Sequence, residues 1–154
     1  MGRRSSVDAS NSPPSQTAAR NERLVRDHFA AVWNDGDLGP FDTDAVSDDY
    51  VFHHQSDDDY SVDELRGAWA NWHEAFPDLG NEIEDLIATA NRVVVRYRFS
   101  GTHGAEAMGV QATGIAAETA GIVVFRVEEG QILEAWAIDD TYGLLQQLGA
   151  ITDG

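Results

Sequence analysis

The sequence predicts an α+β fold in which N-terminal helices pack on one face of a curved antiparallel sheet and enclose a pocket. Three observations predict it. Apolar residues recur at helical spacing as far as Phe76, and after Pro77 they alternate with a period of two to near the C-terminus. A length of 154 residues is that of one domain. A 42% apolar content with four Trp, four Tyr and six Phe supplies enough hydrophobic surface to offset chain entropy.

Residues 1–16 are polar, Ser/Pro-rich and aperiodic, so a disordered tail is expected before a single domain over 17–154. From Thr17 to Trp33 the residues Leu24, Val25, Phe29, Val32 and Trp33 form a helical stripe, with Arg20, Arg23, Arg26 and Asp27 largely opposite. His28 lies on the Leu24–Val32 row and reads as a half-buried core histidine. Asn34-Asp35-Gly36-Asp37 breaks the helix, and a short second helix is expected over Phe41–Val46. Tyr50-Val51-Phe52-His53-His54 favours a strand, with Tyr50, Phe52 and His54 on one side and Val51 and His53 on the other. Asp57-Asp58-Asp59 reads as a solvated loop rather than a metal site.

Ser61-x-x-Glu64 is a capping box opening a helix whose stripe is Val62, Leu65, Trp69, Trp72 and Phe76, and Pro77 stops it. An aromatic helix stripe reads first as core. Strands are expected at Asn81–Thr89 and at Val93–His103, the latter with Val93, Val95, Tyr97, Phe99 and His103 on one face. A Gly-rich loop over 104–114 follows. Ala116–Val127 and Gln131–Asp140 form a hairpin around Glu128-Glu129-Gly130, and Gly143–Leu148 a closing helix stopped by Gly149.

Ten Arg and no Lys stand against 17 Asp and 10 Glu, a net charge of −17. Such a field repels phosphate backbones and anionic lipids, so neither nucleic acid nor a membrane is expected as a partner. The acidic bias matches that of salt-adapted, halophilic proteins. Absent Cys removes thiol nucleophiles, disulfides and thiolate metal sites; absent Lys removes P-loop and Schiff-base chemistry. Apolar runs such as Gly121–Phe125 fall far short of the roughly 20 residues of a membrane helix. Arg3-Arg4 is followed by no apolar segment, so a cytoplasmic location is expected. Carboxylates, five His and four Tyr remain for acid–base work.

On the last strand, alternation puts Glu134, Trp136, Ile138 and Asp140 on one face and Asp139 on the other. If Trp136 enters the pocket so does Asp140, where burial would raise its pKa toward neutrality and suit proton transfer. The alternative is that Asp140 caps the final helix, with a low pKa. His103, at a strand end beside Tyr97 and Phe99, is the strongest histidine candidate and the expected catalytic helper of Asp140. No local ligand spacing unites His53 or His54 with His103 and Asp140, so no metal is expected.

A resemblance is carried by Gly101-Thr102-His103, Gly109, Thr113-Gly114, Phe125-Arg126-Val127-Glu128-Glu129-Gly130-Gln131-Ile132 and Glu134-x-Trp136-x-x-x-Asp140-x-x-Gly143-Leu144-Leu145-Gln146-Gln147-Leu148-Gly149. Upstream, Asn34-x-Gly36-Asp37, Tyr50-x-x-His53 and Phe76-Pro77-Asp78-Leu79 join it. Together they resemble the SnoaL-like polyketide (ester) cyclase family. The resemblance implies the cystatin-like cone shared with nuclear transport factor two and a cofactor-free intramolecular aldol closure with a pocket Asp as general acid/base. The matching residue is Asp140. His103 and His53 fall on family histidine positions and Asn34 on an asparagine, each implied to orient a substrate carbonyl, while Trp136, Tyr97, Phe99 and Trp72 are expected to contact a small hydrophobic carbonyl compound. Gln111-Ala112-Thr113-Gly114, Ala105 and Tyr142 depart from the family pattern. A homodimer is expected from the family and from an outer sheet face carrying Val94, Val123 and Val127. A non-catalytic binding or dimerisation module, or another isomerase or hydrolase reaction in the same pocket, is the alternative on this fold.

Overall fold

The computed structural model describes residues 13–55 and 58–151. The expected polar tail and Arg3-Arg4 thus fall mostly or wholly outside the described residues. Helix α1 (Pro14–His28) begins three residues before Thr17, with Pro14 at a position whose missing N–H costs no helical bond. It runs on through a π-helical turn, Phe29–Asn34, that buries Phe29, Val32 and Trp33. The second helix expected over 41–46 is a 3₁₀ turn, Gly39–Asp42, and Val46 already opens β1 (Val46–His54). The reason is long-range pairing, since Val46 sits opposite Ile132.

A short β2 (Asp59–Ser61) precedes α2 (Val62–Ala75). Both halves of the capping box form: the Glu64 N–H donates to Ser61 Oγ at 3.3 Å and the Ser61 N–H to Glu64 Oε1 at 3.0 Å. The helix ends before Phe76-Pro77 as the sequence requires. Then come β3 (Gly80–Ala88), β4 (Arg92–Thr102), β5 (Ala116–Glu128), β6 (Gln131–Asp139) and α3 (Thr141–Gln147). The β5–β6 turn has positive φ at both Glu129 (51°) and Gly130 (76°), as a primed hairpin turn demands.

The six strands lie in the order β2-β1-β6-β5-β4-β3. Every neighbouring pair is antiparallel except β1 and β6, so the sheet is mixed. Register shifts near Ile83/Asp85 and Arg126/Val127 add local twist and help curl it. Its inner face carries Val93, Val95, Tyr97 and Phe99 from β4 and Val123, Phe125 and Val127 from β5, all buried beneath the helices. Val123 and Val127 therefore do not belong to the outer face; the even-numbered residues of β4 and β5, including Val94, do.

On β6 the inward residues are Ala135, Ala137 and Asp139, and Trp136 faces outward, 38% exposed. This reverses the face expected for Trp136. Ala135 lies opposite Phe52 on one side and Phe125 on the other, and Trp33 packs over both at ring separations of 6.4 and 6.5 Å. Three rings already fill the interior over this row, so only a methyl group fits between them. His28 is more deeply buried than expected, edge-on to Phe41 and Phe125. No described helix is long and apolar enough to cross a membrane.

Candidate active site

Sheet and helices enclose a cavity of about 410 Å³. The helical side contributes Trp33, Leu65, Trp69 and Trp72, and the strands Phe52, Tyr60, Tyr97 and Phe99. The Trp/Phe stripe of α2 is thus partly core and partly cavity wall, Trp72 lying 5.5 Å from the Phe99 ring. Met108, at φ 54° in the 104–115 loop, reaches the same space.

One end of the cavity is charged. β1 alternation sends Phe52 and His54 inward, and β6 alternation sends Asp139 inward. His54 Nε2 lies 3.1 Å from Asp139 Oδ2, and the Thr141 hydroxyl donates to Asp139 Oδ1 at 2.5 Å. Gln55 fixes the pair from behind: its Oε1 accepts the Asp139 N–H at 2.6 Å and its Nε2 donates to Thr141 Oγ at 3.0 Å. Burial alone would raise the Asp139 pKa, but the bonds from His54 and Thr141 outweigh it and leave the carboxyl below its usual value. His54 moves the other way. Its bond to Asp139 raises it above 6.5 against a smaller opposing effect of burial.

Tyr97 joins this group through an absent side chain. Tyr97, Gly121 and Asp139 lie opposite one another across β4, β5 and β6. A Cβ at Gly121 would collide with the Tyr97 hydroxyl, so glycine leaves that ring room to lie over β5 beside Asp139. Burial, with a further contribution from the Asp139 charge, holds the phenol protonated well above its usual range.

The remaining sequence candidates divide. Tyr97, Phe99 and Trp72 line the cavity. Asp140 is at its rim, exposed, where it caps α3 by accepting the Gly143 N–H at 2.9 Å. His103 is fully buried behind Phe76 and outside the cavity lining; its Nδ1 accepts the Thr113 N–H at 3.3 Å and so ties down the loop. Asn34 is bonded to the backbone of Asn81 at both N–H and C=O, at 2.6 and 3.1 Å, and is likewise absent from the lining. His53 lies on the outer sheet face between Asp59 (2.7 Å) and Glu134 (2.6 Å), stacked on Trp136 at 5.4 Å. The acidic run is not merely solvated: Asp58 lines the cavity and Asp59 holds His53, while Asp57 lies outside the described residues.

Asp139 and His54 were legible by alternation once the inner face of each strand was known. The exposed Trp136 pointed to the wrong face of β6, whereas His54 could have been read from its alternation with Phe52.

A sequence model of the SnoaL-like polyketide cyclase family matches residues 23–148. The chain belongs to the SnoaL-like polyketide cyclase family. AclR of Streptomyces galilaeus, a candidate hydroxylase, shares 28% identity at a TM-score of 0.74, over 92% of this chain and 89% of that one. TsrD of Streptomyces laurentii shares 28% identity at 0.74, over 86% and 97%. IdmH of Streptomyces antibioticus, a candidate polyketide cyclase, shares 28% identity at 0.69, over 90% and 99%. No curated protein matches the chain. The cone expected of a SnoaL-like chain is thus present, with its cavity between helices and sheet.

Proposed function

We propose that this SnoaL-like protein is a cyclase-type acid–base enzyme acting on a small hydrophobic carbonyl compound, with Asp139 and His54 as the proton-transfer pair. The observation that carries the reading is the 3.1 Å bond between an inward carboxylate and an inward imidazole at one end of an aromatic cavity. Asp139 is held in its ionised, basic form and His54 is biased toward imidazolium. In an intramolecular aldol closure Asp139 takes a proton alpha to one carbonyl, the resulting enolate carbon bonds to a second carbonyl carbon, and His54 protonates the oxygen that becomes hydroxyl. Proton return across the Asp139–His54 bond restores both groups. Atoms and electrons balance within the substrate, so these steps draw only on the chain's own residues. The cavity supplies acceleration by holding the substrate folded.

Asp140, the position matching the family motif, stands beside this pair at the rim and is the alternative base. The test is turnover of aromatic polyketide-like esters in molar salt by the wild type, Asp139→Asn and Asp140→Asn. Loss in Asp139→Asn alone supports the assignment; loss in Asp140→Asn alone transfers the role; binding without turnover by all three makes the cavity a receptor.

A homodimer across the outer sheet face belongs to the same reading. Ile87, Val94, Val124 and Trp136 form one row across β3, β4, β5 and β6, with exposed Ile122 and Ile138 on the next. Such an apolar stripe calls for cover. A monomer on sizing in molar salt would overturn it.

A further inference from the structure

On the reading of the cavity as a small-molecule site, we propose that Asn81 and Thr119 form a second polar subsite, separate from the acid–base pair, that anchors a neutral hydroxyl-bearing aromatic ring. Asn81, Phe99 and Thr119 lie opposite one another across β3, β4 and β5, two residues along β4 from the row of Tyr97, Gly121 and Asp139. All three line the cavity. Asn81 and Thr119 are each only 7% exposed, yet neither is fully satisfied.

The Asn81 amide nitrogen donates to the Trp33 carbonyl at 2.9 Å, which fixes the orientation of the carboxamide. Its Oδ1 then accepts no hydrogen bond among the described residues, and the Thr119 hydroxyl makes none. Neither oxygen is among the sealed, unsatisfied atoms of the interior, which are Arg20 Nε, His28 Nδ1 and His103 Nε2. Both therefore reach accessible space: Thr119 lines the cavity, and Asn81 lines it together with a second pocket beside Asn34 and Ser100. Polar atoms this deep in a wall of Phe and Trp rings cost stability unless something bonds them.

The chemistry of the pair defines the guest. Asn81 Oδ1 only accepts, whereas the Thr119 hydroxyl both donates and accepts. A phenol or enol hydroxyl satisfies both at once, donating to Asn81 and accepting from Thr119. A carboxylate cannot donate to Asn81. It would also enter a cavity lined by Asp58, Asp139 and Asp140 and, among the described residues, by no Arg. Phe99, between the two polar groups in the register, provides the ring face on which such a guest lies.

The probes are 2-naphthol, 2-methylnaphthalene and 2-naphthoate, similar in shape and different in the polar group, titrated calorimetrically into the full chain in 0.5 M salt to screen the long-range field. For the wild type, 2-naphthol binds about tenfold tighter than 2-methylnaphthalene, and 2-naphthoate binds weakest. Thr119→Val preserves shape, so 2-methylnaphthalene affinity stays within about twofold while the naphthol preference falls to about threefold or less. Thr119→Ser keeps the preference. Equal affinity of the wild type for naphthol and methylnaphthalene overturns the proposal, as does an undiminished preference in Thr119→Val. A preference that survives Thr119→Val but disappears in Asp139→Asn places the hydroxyl at the acid–base end, overturning the subsite while leaving the proposed reaction standing. Binding that follows the prediction without turnover of any ester keeps the subsite and removes the reaction.

Discussion

His53 and His54 are consecutive residues of β1, each bonded to carboxylate, and the sheet separates them into two different settings. His54 faces the cavity and is bonded to Asp139, with the Asp58 charge also acting on it. His53 faces outward, with a carboxylate on each ring nitrogen, and Glu134 is shared further with Arg126 at 3.0 Å. Two acceptors require two N–H groups, so the outer geometry is that of an imidazolium; burial lowers its pKa, but Asp59 and Glu134 together raise it above 6.5. The outer cluster staples β2, β1 and β6 at the surface, where water and salt screen it. The inner pair sits in an aromatic chamber where proton position is worth more. On the proposed reading, similar residue types serve chemistry on one face and fastening on the other.

The sharpest way to break this contrast is to neutralise one carboxylate on each side. Asp139→Asn is expected to lower kcat by about 10³-fold, within the 10²–10⁴ range of general acid–base catalysis, while the chain stays folded. Glu134→Gln is expected to leave kcat within about twofold, because its contacts end on the outer face. Equal losses in the two variants would dissolve the distinction.

Exchanging the histidines comes next. His54→Gln is expected to cost about 10²-fold in kcat. It should also abolish the alkaline limb of the pH–rate profile, which in the wild type lies above pH 6.5 because the His54 pKa is raised. The wild-type acid limb falls below pH 3.8, since Asp139 is lowered. His53→Gln is expected to leave that profile unchanged.

A third histidine sharpens the comparison, because among the described residues no charged partner acts on it. Burial lowers the His28 pKa from 6.5 to about 4. The unfolded chain therefore binds a proton that the folded chain refuses, and stability is lost as pH falls from 6.5 toward 4. The loss is roughly 3 kcal/mol across that window. Chemical denaturation at pH 7 and pH 4.5 should show it, and His28→Leu should flatten the slope between them.

The smallest expected effect is on the outer side. The raised His53 pKa contributes stability below pH 6.5 that fades as pH rises through its folded value. Because the cluster is partly exposed, the contribution is about 0.5–1 kcal/mol, and 1 M KCl should diminish it. A pH-dependent midpoint lost in His53→Gln but retained in His54→Gln would assign the effect to the correct face.

Most of the fold was legible because its signals are local: the Ser61–Glu64 box, the Pro77 stop, the alternation of β4 and β5, and the Glu129-Gly130 turn all act within a few residues. The errors came from contacts distant in sequence. Val46 joins β1 because Ile132 lies beside it, and β2 exists because β1 offers Val51, Phe52 and His53 as partners. On β6 the expectation failed at one choice of face, that of Trp136. Alternation correctly separated Asp139 from Asp140, but the rings of Phe52, Phe125 and Trp33, brought together by three separate elements, decide which of them looks inward. Tyr97, Phe99 and Trp72 were found from their own strand and helix patterns. Asn81 and Thr119, the proposed second subsite, were not, since a buried oxygen left without a bond has no signature in sequence.

Ala135, Ala137 and Gly121 line up near the chamber as the places where β6 and β5 contribute least. Their vacant volume is room for the aromatic rings and for the cavity between them. Chamber size is thereby set at positions that move no protons. Ala137, in the wall and one strand-step from His54, is the dial. A methyl or two added there would admit only smaller guests and leave the Asp139–His54 bond intact.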